Sequence, residues 1–305
     1  MKNINLEIVR VTEAAAIAAS RWVGSGDKIA ADTAATDAMR TRLNTIDFCG
    51  RIVIGEGIKD KSSGLFAGEM VGQLRDDASA KIYDIAVDPI EGTRPTAQSG
   101  PEALSVLAVA EKDCLFSTPE FYMNKLAYGP GILQKTTLSI TDPLKKTIEL
   151  ISKATGKEAS KIMVCILDRP RHEKIIAELR ALGVRIKLIQ DCDVSGAIAT
   201  CLNYSGIDLL YGIGGAPEAV IAACAIKCLR GDFQGQLVKE DGTVVPKVYH
   251  IEDLVKGPCA FTATGITNGS LLHGVRYTSD GPSTQSLFVR SISGTVRWIT
   301  AHHGN

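Results

Sequence analysis

The chain has 305 residues, 45% of them hydrophobic, and its 34 basic residues balance its 34 acidic ones to a formal net charge of zero. That length suits about two globular domains, and the charge balance excludes a general electrostatic pull toward nucleic acid or an anionic membrane. No apolar run reaches the ~18 residues of a membrane span, and the start, Met1-Lys2-Asn3-Ile4-Asn5-Leu6-Glu7, lacks a signal-peptide core, so a cytoplasmic protein is expected.

Leu6 to Trp22 is alanine-rich with apolar residues at helical spacing and predicts a first helix. A second is predicted from about Ala30 to Leu43, after the Gly24-Ser25-Gly26 break. Strands follow at Ile52 to Ile54, Ile82 to Val87 and Leu104 to Ala110, with a glycine-rich, mixed loop between the first two. In the second half, Asp142 reads as the cap of a helix with Pro143 in its first turn and Gly156 at its end. Strand Ile162 to Leu167 comes next, then helix Arg171 to Leu182, strand Val184 to Ile189 and helix Val194 to Leu202. Strand Asp208 to Ile213 and helix Ala216 to Leu229 complete the series. This βαβ alternation implies a largely parallel sheet and an α/β class, with an α+β first half. Residues 231–250 read as hairpin or loop turning at Asp241-Gly242, and strand patterning returns from Gln285 to Trp298. Gly129-Pro130-Gly131 breaks the pattern, so domains 1–135 and 136–305 are expected.

None of the eight cysteines forms a Cys-x-x-Cys pair. Cys165 and Cys201 lie in apolar runs and read as core. Cys224 and Cys228 are one helical turn apart, which suits a metal, but without a second ligand pair the core reading is preferred.

The most telling stretch is Asp88-Pro89-Ile90-Glu91-Gly92-Thr93, directly after the apolar strand Ile82 to Val87. Two like charges this close at a strand end are costly unless a cation lies between them. Asp32 sits in the first turn of the second helix, where a helix-dipole partner or solvated acid is the simpler reading of that residue alone. Glu56, between Gly55 and Gly57 after a strand, is as readily functional as decorative. Glu218 ends the run Gly212-Ile213-Gly214-Gly215-Ala216-Pro217-Glu218 at a helix start. A tight turn explains it; alternatively, the glycines leave backbone N–H groups free for an anion. No His or Cys accompanies these acids, so oxygen-only ligation favours Mg²⁺ or Mn²⁺ over zinc. Arg169-Pro170-Arg171-His172 reads either as a phosphate clamp at a helix start or as an exposed basic turn. Asp191-Cys192-Asp193-Val194-Ser195 matches a short aspartyl-phosphate signature, or its acids accept sugar hydroxyls.

Val53-Ile54-Gly55-Glu56-Gly57, Ala86-Val87 with the Asp88 to Thr93 stretch, Phe121-Tyr122-Met123, the Arg169 to His172 turn and Tyr211 to Glu218 together resemble the bacterial class II fructose-1,6-bisphosphatases. The likeness runs from Arg10-Val11-Thr12-Glu13 to Ser293-Gly294-Thr295-Val296-Arg297. It implies a layered α/β/α/β/α sugar-phosphatase fold. It implies that Asp32, Glu56, Asp88, Glu91 and Glu218 hold Mn²⁺ or Mg²⁺. Thr93, with an acid such as Glu56, would orient the attacking water. Glu91, Gly92, Thr93, Tyr122, Arg169, Pro170, Arg171, Asp191, Asp193 and Gly215 would bind the sugar bisphosphate. The expected reaction is hydrolysis of the 1-phosphate of fructose 1,6-bisphosphate in gluconeogenesis, by a cytoplasmic homo-oligomer (dimer or tetramer). The alternatives are a sedoheptulose 1,7-bisphosphate or inositol-phosphate phosphatase, a covalent mechanism through Asp191, and a non-catalytic sugar-phosphate sensor. In this resemblance Cys192 stands where the family commonly has Gly.

Overall fold

The computed structural model describes residues 6–56, 64–117 and 122–304; Gly57, part of the expected glycine-rich loop and Phe121 lie outside the described residues. The chain divides into two compact units, Met1–Ser117 with Val255–Asn305, and Thr118–Leu254.

In chain order the first unit contributes α1 (Glu7–Ser20), α2 (Lys28–Leu43), β1 (Cys49–Ile54), β2 (Met70–Val71), β3 (Ile82–Glu91), α3 (Thr93–Gln98) and β4 (Leu104–Glu111). The second unit follows with β5 (Tyr122–Tyr128), α4 (Pro130–Leu133), α5 (Leu144–Thr155), β6 (Met163–Leu167), α6 (Glu173–Ala181), β7 (Arg185–Ile189), α7 (Asp193–Ala199), β8 (Leu209–Gly215), α8 (Ala216–Cys228), β9 (Asp232–Val238), β10 (Tyr249–His250) and α9 (Ile251–Leu254). The chain then returns to the first unit with β11 (Cys259–Gly265), β12 (Arg276–Thr278), β13 (Gly281–Arg290) and β14 (Val296–His302). Helices with mixed sheets bear out the α/β class. Among the described residues no helix is long and apolar enough to cross a membrane.

The first unit holds one sheet in the order β12-β13-β11-β4-β3-β1-β2, with β14 on β13. β3 is central, parallel to β1 and antiparallel to β4. Helices α1 and α2 pack on each other, and α2 also packs on β3 and α3. What fixes α2 is a stripe at every fourth residue: Ala31, Ala35, Met39 and Leu43 are all fully buried. Burying Met39 and Leu43 contributes roughly 1.5–3 kcal/mol each, which anchors the backbone that carries Asp32. Asp27 caps this helix by accepting from Ala30 N–H at 2.9 Å. The helix therefore starts earlier than expected, and Asp32 lies in its second turn, beyond the reach of a first-turn dipole contact.

The second unit holds a sheet in the order β10-β9-β5-β8-β6-β7. The expected largely parallel sheet is corrected. Only β6 with β7 and β6 with β8 are parallel, while β5 lies antiparallel between β8 and β9. The βαβ alternation spans β6 to β8 and says nothing of strands on either side of it. The division between units likewise departs from residue 135. Gly129-Pro130-Gly131 ends β5 without ending a domain, since β5 pairs forward with β8 and β9, and the last four strands rejoin the first sheet. The expected Asp142 cap is also corrected. Pro143 occupies the cap position, and the Asp142 carboxylate instead accepts from Lys146 at 3.0 Å. The helix does end at Gly156, in a left-handed conformation at φ 72°. The expected helix at Arg171 begins as a 3-10 turn over Pro170–His172 before α6.

Candidate active site

Alternation along a strand points residues three apart to opposite faces, so Asp88 and Glu91 would diverge in a regular β3. They do not, because the ladder with β4 is bulged between them. Asp88 pairs with Val106 and Glu91 with Leu104, so three steps on β3 match two on β4. The extra residue turns both carboxylates to one side, with ligand oxygens within 4.8 Å of each other. Pro89 has no N–H to lose from the ladder and suits the bulge. Ile90 N–H donates to Asp88 Oδ1 at 3.0 Å and sets that side chain's rotamer. Gly92 then takes φ 100°, ψ 53°, a left-handed corner that starts α3 at Thr93. Thr93 Oγ1 lies 3.4 Å from Ile90 O, on the same turn as Glu91.

β1 runs parallel to β3, and Ile54 pairs with Ala86. Glu56 and Asp88 each lie two residues further on, so both come just past the same end of the β1–β3 pairing. Gly55 has no room for a side chain, since a Cβ would overlap Leu65 O and sit 2.9 Å from Ile52 Cγ2. Asp32 is half-buried on α2, which packs against β3 and α3. The third acid on β3, Asp84, is structural. It is fully buried, receives Arg51 at 2.7 Å, and accepts the N–H groups of Cys114 and Leu115 at 2.9 and 3.2 Å.

In the second unit, β6, β7 and β8 are parallel, so the turns after them share the carboxyl edge of the sheet, the usual place for ligands in α/β sheets. There lie the Arg169 to His172 turn, the Asp191 to Asp193 turn and the Gly215 to Glu218 turn. Tyr122, opening β5 opposite Gly215, enters at the same edge. Arg169 forms an ion pair with Asp191. Arg171 donates from Nε and Nη2 to Ile213 O at 3.1 and 2.8 Å, and its Cζ lies 5.3 Å from the Tyr122 ring centre. Asp193 opens α7 after Cys192, which holds a left-handed φ of 68°. That geometry is what a glycine would supply without strain. Asp193 Oδ2 accepts from Lys125 Nζ at 2.7 Å, and both side chains are buried.

Glu218 Oε2 is buried with no hydrogen-bond partner among the described residues. Burial pushes its carboxyl above the usual range, Lys125 opposes that shift, and Asp193 reinforces it. The glycine run makes room for these side chains. A Cβ on Gly214 would overlap Asp193 Oδ2, one on Gly215 would overlap the Glu218 carboxylate, and Ile213 N–H is taken by His172 Nε2 at 2.8 Å. Cys224 and Cys228 are buried on α8 as core residues.

These donors fit a hard divalent cation. In the first unit Asp88 and Glu91 aim paired carboxylates to one side, and neither ligand is soft. Residues 2–303 match the family described as bacterial fructose-1,6-bisphosphatase, glpX-encoded. The chain belongs to this family. It is 43% identical over 326 residues to fructose-1,6-bisphosphatase 1 class 2 of Escherichia coli (strain K12), covering 99% of this chain and 95% of that relative. The fructose-1,6-bisphosphatase class 2 of Shigella flexneri is similar to the same extent, 43% identical across 99% of this chain and 95% of its own length.

Two residues in this family member correct or extend the sequence reading. His172, next to the arginines, is a structural group. Its Nδ1 lies 2.7 Å from Leu167 O and its Nε2 accepts from Ile213 N–H, a pair of bonds that requires the neutral ring with the proton on Nδ1. Burial pushes its pKa below the ordinary value. The unfolded chain therefore takes up a proton below pH ~6.5 that the folded chain refuses, and stability falls as pH falls. Urea unfolding at pH 7.5 and 5.5 should show this loss, at up to about 1.4 kcal/mol per pH unit. His172→Gln should flatten it; equal slopes in both proteins would refute the assignment. Lys125 was not singled out by the sequence. A lysine at alternate spacing with the apolar Met123 and Ala127 was the available signal.

Proposed function

We propose that the chain is a metal-dependent phosphatase that hydrolyses the 1-phosphate of fructose 1,6-bisphosphate to fructose 6-phosphate and phosphate. The observation that carries the reading is the bulge in β3 that turns Asp88 and Glu91 to one side. Family membership supplies the substrate, and gluconeogenesis is the setting in which this reaction is used. Asp32, Glu56, Asp88, Glu91 and Glu218 would hold Mn²⁺ or Mg²⁺. Such ions, when bound, withdraw charge from phosphoryl oxygens and acidify water. Thr93 orients the attacking water through its hydroxyl, and Glu56 accepts the proton that the water gives up. Glu91, Gly92 and Thr93 line the reacting phosphate. Arg169 and Arg171, with Pro170 fixing their turn, grip the distal phosphate beside Tyr122. Asp191, Asp193 and Gly215 hold the sugar. The enzyme works in the cytoplasm as a homo-oligomer.

The covalent alternative fares poorly. Asp191 is engaged by Arg169 and Asp193 by Lys125, and a carboxylate locked in an ion pair is a weak nucleophile. Phosphate release from fructose 1,6-bisphosphate, with Mn²⁺ and then with EDTA, tests the proposal. Release with Mn²⁺ that EDTA abolishes is expected. Tight sugar-phosphate binding without release under either metal would instead make the chain a sensor.

A further inference from the structure

We propose that Lys125 is a positioning residue for substrate, its ammonium fixing the Asp193 carboxylate in the orientation that receives the sugar hydroxyls. The inference rests on the reading of Asp193 as a sugar contact. Lys125 rises from β5 in the middle of the second sheet and is 1% exposed. Its Nζ reaches Asp193 Oδ2 at 2.7 Å.

The sheet is built to admit this pair. The residue opposite Lys125 is Gly212 on β8 and Gly235 on β9. One step further along that face of β8, a Cβ on Gly214 would overlap Asp193 Oδ2 and come 2.9 Å from Lys125 Nζ. Burying an ammonium and a carboxylate is costly, and such a pair gives little net stability compared with apolar residues of similar volume. Its presence points to a role beyond holding the fold. Position supplies that role. The Asp191 to Asp193 turn is gripped at both acids, Asp191 by Arg169 and Asp193 by Lys125. Cys192 between them is held in a left-handed conformation. With Oδ2 committed to Lys125, the carboxylate plane is set, and a carboxylate has further acceptor capacity for hydroxyls. The same ammonium also offsets the like charge that Asp193 imposes on Glu218.

Lys125→Met keeps an unbranched side chain, one atom shorter, and removes its charge. KM for fructose 1,6-bisphosphate with Mn²⁺, and Kd for fructose 6-phosphate by calorimetry in EDTA, should both rise at least about tenfold, the loss of one well-set charged contact. Lys125→Met/Asp193→Asn should recover the melting temperature lost by the single variant and bind fructose 6-phosphate no worse than Asp193→Asn alone. Should Lys125→Met not fold, the comparison of the double variant with Asp193→Asn carries the test. Wild-type KM and Kd in Lys125→Met, with only the active fraction reduced, would overturn the proposal. So would a double variant that binds worse than Asp193→Asn, since Lys125 would then act by another route. A wild-type protein that neither binds fructose 6-phosphate nor releases phosphate would instead overturn the proposed function itself.

Discussion

Asp88→Asn is expected to lower Mn²⁺-dependent phosphate release by roughly a thousandfold while leaving the metal-free fold intact. The amide keeps an acceptor for Ile90 N–H, so the bulge retains the bond that sets its rotamer. What it loses is the negative charge beside Glu91. Charge stabilisation by a bound cation is worth several kcal/mol in a phosphoryl transition state, and each 1.36 kcal/mol is about tenfold in rate. Without metal, the two carboxylates repel across less than 4.8 Å. Partial exposure of Asp88 reduces that repulsion to on the order of 1 kcal/mol. The metal-free melting temperature of the variant should therefore equal or exceed that of wild type. Addition of Mn²⁺ should then stabilise wild type, by about 2.7 kcal/mol at a hundredfold excess over Kd, and the variant much less. Undiminished turnover in Asp88→Asn would remove the acid pair from the chemistry.

What the sequence disclosed and what it hid have separate physical causes. The Asp88 to Thr93 stretch was legible because a strand, a turn and their acids are adjacent in the chain. The arginine and aspartate turns were legible because each follows a predicted strand, and parallel strands end at one edge. The bulge was not legible, since it depends on β4 as a partner and not on the sequence of β3 alone. β5 was hidden by its place between the two regular patterns. It packs at the centre of a sheet whose other members come later in the chain, and Lys125 went unnoticed with it. β11 was hidden by polarity. Thr262 and Thr264 are fully buried yet reach hydroxyl partners, Thr264 meeting Thr12 and Ser286 at 2.8 Å each. Satisfied hydroxyls at zero exposure defeat any reading that equates core with apolar. The glycines from Gly212 to Gly215 have a second use that the sequence did not disclose. Their lack of Cβ admits Asp193, Lys125 and Glu218, which no local rule could foresee.

Arg171→Ala is expected to raise KM for fructose 1,6-bisphosphate about 10- to 100-fold and to change kcat/KM for a simple phosphate monoester far less. Two bonds to Ile213 O and the Tyr122 ring hold the guanidinium in place before any ligand arrives. The rotamer entropy of ordering a long side chain is thus already met in the free protein. A charge-assisted bond to phosphate is worth roughly 1.5–3 kcal/mol, which sets the size of the effect. Because the distal phosphate does not react, its grip is the same in ground and transition states, and its loss falls on KM. Arg171→Lys should recover only part of the loss. An ammonium keeps the charge but cannot fork onto the Ile213 carbonyl while stacking on Tyr122. Wild-type KM should rise with ionic strength more steeply than that of Arg171→Ala, as expected when a screened charge is removed. Equal losses on the bisphosphate and the monoester would place Arg171 at the reacting phosphate, and the assignment of the two ends of the substrate would have to be exchanged.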